Sequence, residues 1–483
     1  MSDPGLFSPL YCFPQSFADK PALVTIDGQV VSFARLIRTI RSFAGHAAQS
    51  GIAAGDRIAI EVPNEAVRVC LILALLRIGA IAAPGATADE LLKAGVPLAG
   101  VISQRIGYRT EPRHIAFNQT WFEPIDPEPP GASVKAPDSA QPCLVMSSSG
   151  STGSKKFMEF SLDILAQRLE WDRVILGDRP QSRLVTLGAG TNLGLRQALR
   201  TLEQGRLLLR PGATPAATID LMRGHEINEL VTTPLVLNDL VKAMETRPAP
   251  LPQLESIITA GGPIAGHLAQ RVGELFGVPV TNLYGSTENG LIAVAKGTAW
   301  FATEGASGSV MPWIDLEIVD ESGEPQPPGT IGDVRIRLDR RFSVAAYLNA
   351  GLSEDDPIRD GWFYPGDLGA LSETRELTIA GRTRELVNIG GTKISLTAIE
   401  DRLRPIRGIE QLAAVGLCNR AGYDDVGIAI RRTPDIALAT IDQAIRKNLG
   451  RSTFIRIIEM ETLPATETGK VDRMRLKDIF EGN

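Results

Sequence analysis

Cysteine and histidine are scarce in this 483-residue chain, with four of each. Cys12, Cys70, Cys143 and Cys418 stand far apart, with no CxxC pair and no histidine cluster beside them, so neither a zinc site nor a disulfide framework is indicated. A reduced, cytoplasmic setting is expected. His46, His114, His225 and His267 are scattered, and none is assigned a catalytic role. Positive charge is in no surplus either. Fifty Lys and Arg against 56 Asp and Glu leave a net charge of −6, which removes the global electrostatic case for nucleic acid. Long apolar runs are missing. The most apolar stretch, residues 66–83, is broken by Arg68 and Arg77 and bounded by Pro63 and Pro84. It reads as a buried helix, since a membrane span takes about 18 or more apolar residues with few charges. Residues 1–14 have no basic flank and no apolar core, so no signal peptide is expected. Internal repeats and low-complexity tracts are absent as well.

What is present is ordinary globular composition, long enough for more than one folding unit. Phe33, Leu36, Ile37, Ile40, Phe43, Ala44 and Ala47 recur at helical spacing, with Ser32 at the N-cap position and Gly51 past the end. Residues 56–62 read as a strand, Asn64 caps the next helix and Gly79 stops it. Residues 106–141, rich in Pro, Gly and acidic side chains, read as a surface connection, followed by a buried strand at 142–146. A strand at 255–260 ends in Gly261-Gly262-Pro263, a helix spans 264–276, and a strand at 278–283 ends in Tyr284-Gly285. Such a βαβ unit places two glycine-bearing turns at the strand C-termini, the edge where open α/β sheets bind ligands. Beyond residue 384 the pattern changes to a compact α+β unit. A capping box at Thr397 to Glu400 opens a helix, and strands at 412–417, 426–430 and 454–460 flank a helix at 436–449.

The loop Ser147-Ser148-Ser149-Gly150-Ser151-Thr152-Gly153-Ser154-Lys155-Lys156 is the first chemical signal. Hydroxyls, glycine-freed backbone N–H groups and two lysines suit phosphate oxygens. It is not a Walker A loop, because the glycine spacing is wrong and Lys156 runs into a strand-like segment. Alone, such a loop is more often a surface turn. Four further motifs follow it in order: Tyr284-Gly285-Ser286-Thr287-Glu288, then Gly361-Trp362-Phe363-Tyr364-Pro365-Gly366-Asp367, then Gly381-Arg382-Thr383-Arg384-Glu385 with Gly390-Gly391 behind, and finally Thr466-Glu467-Thr468-Gly469-Lys470.

This order and spacing resembles the adenylate-forming superfamily of acyl- and aryl-CoA synthetases, adenylation domains and luciferases, over nearly the whole chain. The resemblance implies an α/β fold. A large N-terminal domain of helix-covered β-sheets would span 1–380, a hinge 381–384, and a small mobile α+β lid 385–483. It implies that ATP activates a small carboxylic acid to acyl-AMP, with pyrophosphate leaving, before a thiol takes the acyl group. CoA is the expected acceptor, with a phosphopantetheinyl carrier protein as the alternative. A degenerate adenylate-binding protein without turnover is a further alternative, of another class.

By the same resemblance Ser148, Ser149, Gly150, Ser151, Thr152 and Gly153 would hold the β- and γ-phosphates, helped by Lys156. Tyr284 would stack on adenine, with Gly285 and Ser286 beside it and Gly261, Gly262 and Pro263 on the other face. Thr287 would donate to the α-phosphate or the acid. Glu288 would ligate Mg²⁺, a hard cation suited to oxygen donors. Asp367 would accept from the ribose hydroxyls, Arg382 would contact ribose or phosphate, and Lys470 would bridge acid and nucleotide. Arg384 would be the hinge residue, and Gly390 and Gly391 would line the thiol tunnel. Gly190, Thr191, Leu235 and Gly290 are candidates for the acyl pocket.

Three departures from the pattern stand out. Lys155 replaces the usual proline of the phosphate loop. Pro365 replaces a threonine before Gly366-Asp367. Small residues at Gly190-Thr191 take the place of an aromatic–histidine pair, and they should widen the pocket unless Trp171 supplies the bulk. Arg382, Arg402, Arg404, Lys447 and Arg451 are candidate contacts for a CoA phosphate, while the run from Arg335 to Arg341 reads as a solvated sheet face.

Overall fold

The computed structural model describes residues 13–25, 28–105, 112–125, 139–148, 155–179, 181–303, 305–337, 339, 343–344, 347–349, 357–383, 386–389, 392–418, 424–449, 455–465 and 471–482. Its architecture is α/β, with a large sheet-rich N-terminal part and a small C-terminal α+β unit, as expected. The first sheet runs Arg113–Ala116, Gly100–Ser103, Arg57–Glu61, Ile81–Ala83, Pro142–Ser148, Lys156–Ser161. Its strands are parallel except for the last pair, which is antiparallel. That last pair brackets the phosphate-loop motif, so the loop leaves one strand and enters its neighbour. Helix Phe33–Gln49 starts where Ser32 accepts from the Arg35 N–H, and helix Glu65–Arg77 where Asn64 accepts from Val67. Every residue from Val69 to Arg77 is buried. The helix is apolar all round because protein surrounds it, which is the expected buried helix.

A second sheet is mixed. Strands Arg183–Val185, Glu229–Thr232, Ser256–Ala260 and Val280–Ser286 are parallel neighbours, with helix Gly266–Phe276 crossing between the last two. From Val280–Ser286 the sheet continues antiparallel through Gly290–Lys296, Ala306–Val310, Glu376–Arg382 and Asp367–Leu371. The switch from parallel to antiparallel pairing falls at the strand carrying Tyr284. The C-terminal unit is a three-stranded sheet, Ile409–Cys418, Asp424–Arg432 and Ile455–Glu459, covered by helices Leu396–Leu403, Leu438–Leu449 and Arg473–Glu481. It touches helix Pro234–Thr246, where the Lys242 ammonium lies 3.8 Å from Glu410 Oε2.

Three expectations change. Residues 106–141 are not merely a connection. Arg113–Ala116 adds a parallel strand beside Gly100–Ser103, and Trp121 is buried against Phe43 and Phe117. The helix after residue 384 is capped by Ser395, whose hydroxyl accepts from Thr397, so no capping box forms at Thr397. Glu400 turns inward instead, accepting from the Ala414 N–H at 2.8 Å and Arg473 Nη2 at 2.7 Å, since a buried carboxylate must be satisfied. Arg335 and Arg337 are not simply solvated. Their guanidinium carbons lie 4.4 and 4.2 Å from the Trp362 ring centroid, and each pairs with a carboxylate, Glu317 and Asp315.

The large part also buries an ionic cluster. Arg168, Asp172, Arg183, Arg196, Arg200 and Glu229 are all at most 4% exposed. At its margin the carboxyl pKa of Glu203, held by Arg173 at 3.1 Å, is pushed up to about 7 by burial, with the Arg173 charge opposing. In the unfolded chain it ionises near its ordinary value of 4.5. The folded state therefore keeps a proton the unfolded state has lost, and stability falls as pH rises from the lower value through the upper. The non-ionising Glu203→Gln should be near neutral at pH 5. At pH 8 it should gain about 3 kcal/mol on the wild type, since each tenfold difference in proton affinity between the two states is worth about 1.4 kcal/mol. Denaturant melts at the two pH values measure this, and equal differences at both would contradict it.

Candidate active site

Tyr284, Asp367 and Arg382 meet at one point of the mixed sheet. Asp367 opens its strand and Arg382 closes the neighbouring one, so register makes them direct cross-strand partners. Arg382 Nε lies 3.2 Å from Asp367 Oδ1. The Tyr284 hydroxyl donates to Asp367 Oδ2 at 2.6 Å. Burial, then the Asp367 charge, raises the Tyr284 phenol well above its usual range, so it remains a donor. Gly366, in the left-handed region at φ +74°, makes the turn that delivers Asp367, which is 6% exposed. Gly261, at φ +91°, turns the chain at the end of the parallel strand beside the one bearing Tyr284. Gly262 faces Pro234 at the start of the helix that carries Leu235. Gly261 makes the expected turn at a parallel strand's C-terminal end, whereas Tyr284 and Gly285 lie inside strand Val280–Ser286, with an irregularity between them, rather than in a turn after residue 283.

Thr287 and Glu288 occupy the turn between strands Val280–Ser286 and Gly290–Lys296. The turn is held from behind by Arg168, a residue that sequence reasoning missed. Arg168 Nη1 donates to the Thr287 carbonyl at 2.8 Å and Nη2 to the Glu288 carbonyl at 2.7 Å. The guanidinium stacks on Phe160, 4.6 Å from its centroid. Burial and the neighbouring Arg196 charge push the Arg168 pKa down to about 9, which still leaves it charged at neutral pH. The one signal for it in the sequence is an Arg and an Asp four residues apart, Arg168 and Asp172, on a helix face otherwise built from Leu165 and Leu169.

In front, the Glu288 carboxylate is 4% exposed and accepts from the Tyr347 hydroxyl at 2.8 Å. The Lys156 ammonium lies 5.0 Å from the Tyr347 ring centroid. No group of three or more His, Cys, Asp or Glu side chains able to hold a metal occurs among the described residues. A lone carboxylate suits Mg²⁺, which keeps waters and takes substrate phosphates rather than an all-protein cage.

Three acyl-pocket candidates have other work. Gly190 does not leave open room, because Pro84 and Gly85 fill it. A Cβ on Gly190 would stand 2.9 Å from Gly85 Cα, and one on Gly85 would collide with the Gly190 carbonyl. Thr191 caps helix Asn192–Glu203, accepting from Gly194 at 3.1 Å. Gly290, at φ +75°, faces Arg168, whose Nε would lie 3.2 Å from an added Cβ. Trp171 is 8% exposed and stacked on Trp313 at 4.5 Å between centroids, within the core. Lys155 pairs with Glu90 at 3.0 Å, so the lysine in the proline position anchors the loop exit to helix Ala88–Lys93. Ser148 ends its strand at the loop entrance, and Lys156 begins the next at the loop exit. Ser149, Gly150, Ser151, Thr152, Gly153, Arg384, Gly390, Gly391 and Lys470 lie outside the described residues.

Residues 98–343 match the AMP-binding enzyme family, more than half of the chain, and the chain belongs to that family. Among characterised relatives, a salicylyl-CoA synthase / salicylate adenylyltransferase from Streptomyces sp is 26% identical, covering 99% of this chain and 94% of its own length. A 3-hydroxybenzoate–CoA ligase from Aromatoleum sp. (strain CIB) is 24% identical over 97% and 95%. Of solved structures, ATP-bound MatB from Rhodopseudomonas palustris superposes with a TM-score of 0.82 at 20% identity, over 99% of both chains. Relatives of this kind are CoA ligases and adenylating enzymes, and the fold is theirs.

Proposed function

We propose that the protein is an AMP-forming acid–thiol ligase, which activates a small carboxylic acid with ATP and passes the acyl group to CoA. The observation that supports it most is the Tyr284–Asp367–Arg382 cluster beside the turn bearing Thr287 and Glu288. A flat ring, a carboxylate and a cation stand together where a nucleoside needs a stacking face and partners for its ribose hydroxyls. On this reading ribose oxygens take over the Asp367 lone pairs now shared by Tyr284 and Arg382.

The first half-reaction joins two anions. A carboxylate oxygen attacks the α-phosphorus, and the bond from that phosphorus to the pyrophosphate oxygen breaks. Mg²⁺, when bound at Glu288, neutralises charge on the phosphates. Thr287 orients the α-phosphate or the acid. Ser148 and the loop up to Lys156 hold the outer phosphates. Lys470 brings a cation to the attacking carboxylate, where preorganised charge acts most strongly. A lid spanning 385–483 then pivots at 381–384, with Arg384 as the hinge, and Gly390-Gly391 admits the pantetheine.

Salicylate and 3-hydroxybenzoate, named for the relatives, head the panel of acids to be tried. The test is pyrophosphate exchange into ATP. A hydroxybenzoate should drive exchange without any thiol, and added CoA should divert the adenylate to thioester. Exchange with no member of an aliphatic, aromatic and hydroxylated panel would leave only the non-catalytic alternative.

A further inference from the structure

The described part of residues 343–349 crosses from the phosphate-binding loop to the Glu288 turn, and nothing in the reaction above uses it. At one end it is bonded to the loop exit. The Phe157 N–H donates to Asn349 Oδ1 at 3.1 Å, Asn349 Nδ2 donates to the Lys155 carbonyl at 3.2 Å, and the Leu348 N–H donates to the Phe157 carbonyl at 2.7 Å. These bonds, to the residues on either side of Lys156, fix the backbone that carries it. At the other end the Val344 N–H donates to the Glu288 carbonyl at 3.1 Å. Between them Tyr347, 6% exposed, touches both functional side chains at once. Its hydroxyl binds Glu288 Oε1, and its ring face lies under Lys156.

We propose that Tyr347 is a positioning residue that sets the Glu288 carboxylate for the nucleotide's magnesium ion, at a spacing from Lys156 fixed by the Asn349 bracket. The inference rests on the reading of Glu288 given above. The bond to Oε1 fixes the carboxylate rotamer and leaves Oε2 as the oxygen for a hard cation. A hydrogen-bond partner of this kind orients a metal ligand without touching the metal, and its loss typically costs about 10- to 100-fold in metal affinity. Lys156 needs no such metal, so Tyr347 separates two contributions to ATP binding, one dependent on magnesium and one not.

The experiment is calorimetric titration of ATP into the full-length protein without any acid, with MgCl₂ or with EDTA. Wild type should bind ATP more tightly with magnesium. Tyr347→Phe keeps the ring over Lys156 and removes only the donor. It should lose about 10-fold of the magnesium-dependent tightening and keep its affinity in EDTA. In a Glu288→Gln background, where the ligand is already gone, Tyr347→Phe should change nothing further. Asn349→Asp, which sets a second acceptor against the Lys155 carbonyl and so disturbs the backbone that carries Lys156, should instead weaken ATP binding in EDTA as well as in MgCl₂. Should Tyr347→Phe fold poorly, Tyr347→His, which keeps a ring and a shorter donor, should still lose affinity only with magnesium. Full magnesium response in Tyr347→Phe, or equal weakening with and without magnesium, would overturn the proposal while leaving the ligase reading intact. Wild type that binds no ATP would remove the nucleotide reading itself, and the inference with it.

Discussion

Replacing Lys470 by alanine is expected to slow adenylate formation by ~10²–10³-fold, about 3–4 kcal/mol of barrier, and to spare thioester formation from preformed acyl-adenylate. On the proposed reading the asymmetry follows from charge. In the first half-reaction a carboxylate approaches a polyanion, and a cation at the junction is worth most where negative charge accumulates on the phosphorus oxygens. In the second, a thiol meets an adenylate that is already activated, and no comparable anion pair forms. Pyrophosphate exchange measures the first step, and mixing synthetic acyl-AMP with CoA measures the second. Loss of equal size in both would take Lys470 out of the adenylation step and assign it a general part in stability.

Arg168→Met should be the most damaging change outside the reacting groups. Methionine keeps the unbranched apolar stem but ends short of the guanidinium and has no donors. Two consecutive carbonyls, Thr287 and Glu288, would lose the guanidinium bonds of 2.8 and 2.7 Å. Asp172, 0% exposed, would lose one of the positive charges around it. Breaking a buried pair by removing one partner costs about 3–5 kcal/mol. A turn that shifts by an ångström can cost about 10²-fold in rate. Thermal unfolding and pyrophosphate exchange should therefore fall together, and Arg168→Lys, which can still reach one carbonyl, should recover part of both. AMP affinity, which the proposed reading assigns to Tyr284 and Asp367, should change least. A variant as stable as wild type would show that the two bonds are dispensable.

Local chemistry explains what could be read from the chain. Ser32 and Asn64 cap their helices because a short side-chain oxygen reaches an N–H three residues on, a contact that needs no tertiary partner. Gly261 falls at a strand end because the hydrophobic run stops there. Motif order singles out Tyr284, Asp367 and Arg382, and strand register brings the last two into contact. The residues that were missed act through contacts far apart in sequence. Arg168 serves a turn 119 residues away, and Tyr347 serves a carboxylate 59 residues away. A lone arginine on a helix or a tyrosine after a basic run carries no periodicity that would announce such a partner. Gly190 misled for the same reason. Its small size signals space in a sequence, whereas here the space is taken by the backbone of Gly85.

That contact between Gly85 and Gly190 has an evolutionary consequence. Two main chains lie against each other with no side chain to trim, so neither position tolerates a single replacement, and a pair of replacements would wedge the strand away from the helix. On the proposed reading, which counts Leu235 among the acyl-pocket candidates, changes in acid preference would fall to side chains of that kind rather than to the two glycines. Lineages descending from this chain should diversify there while keeping the glycine seam frozen.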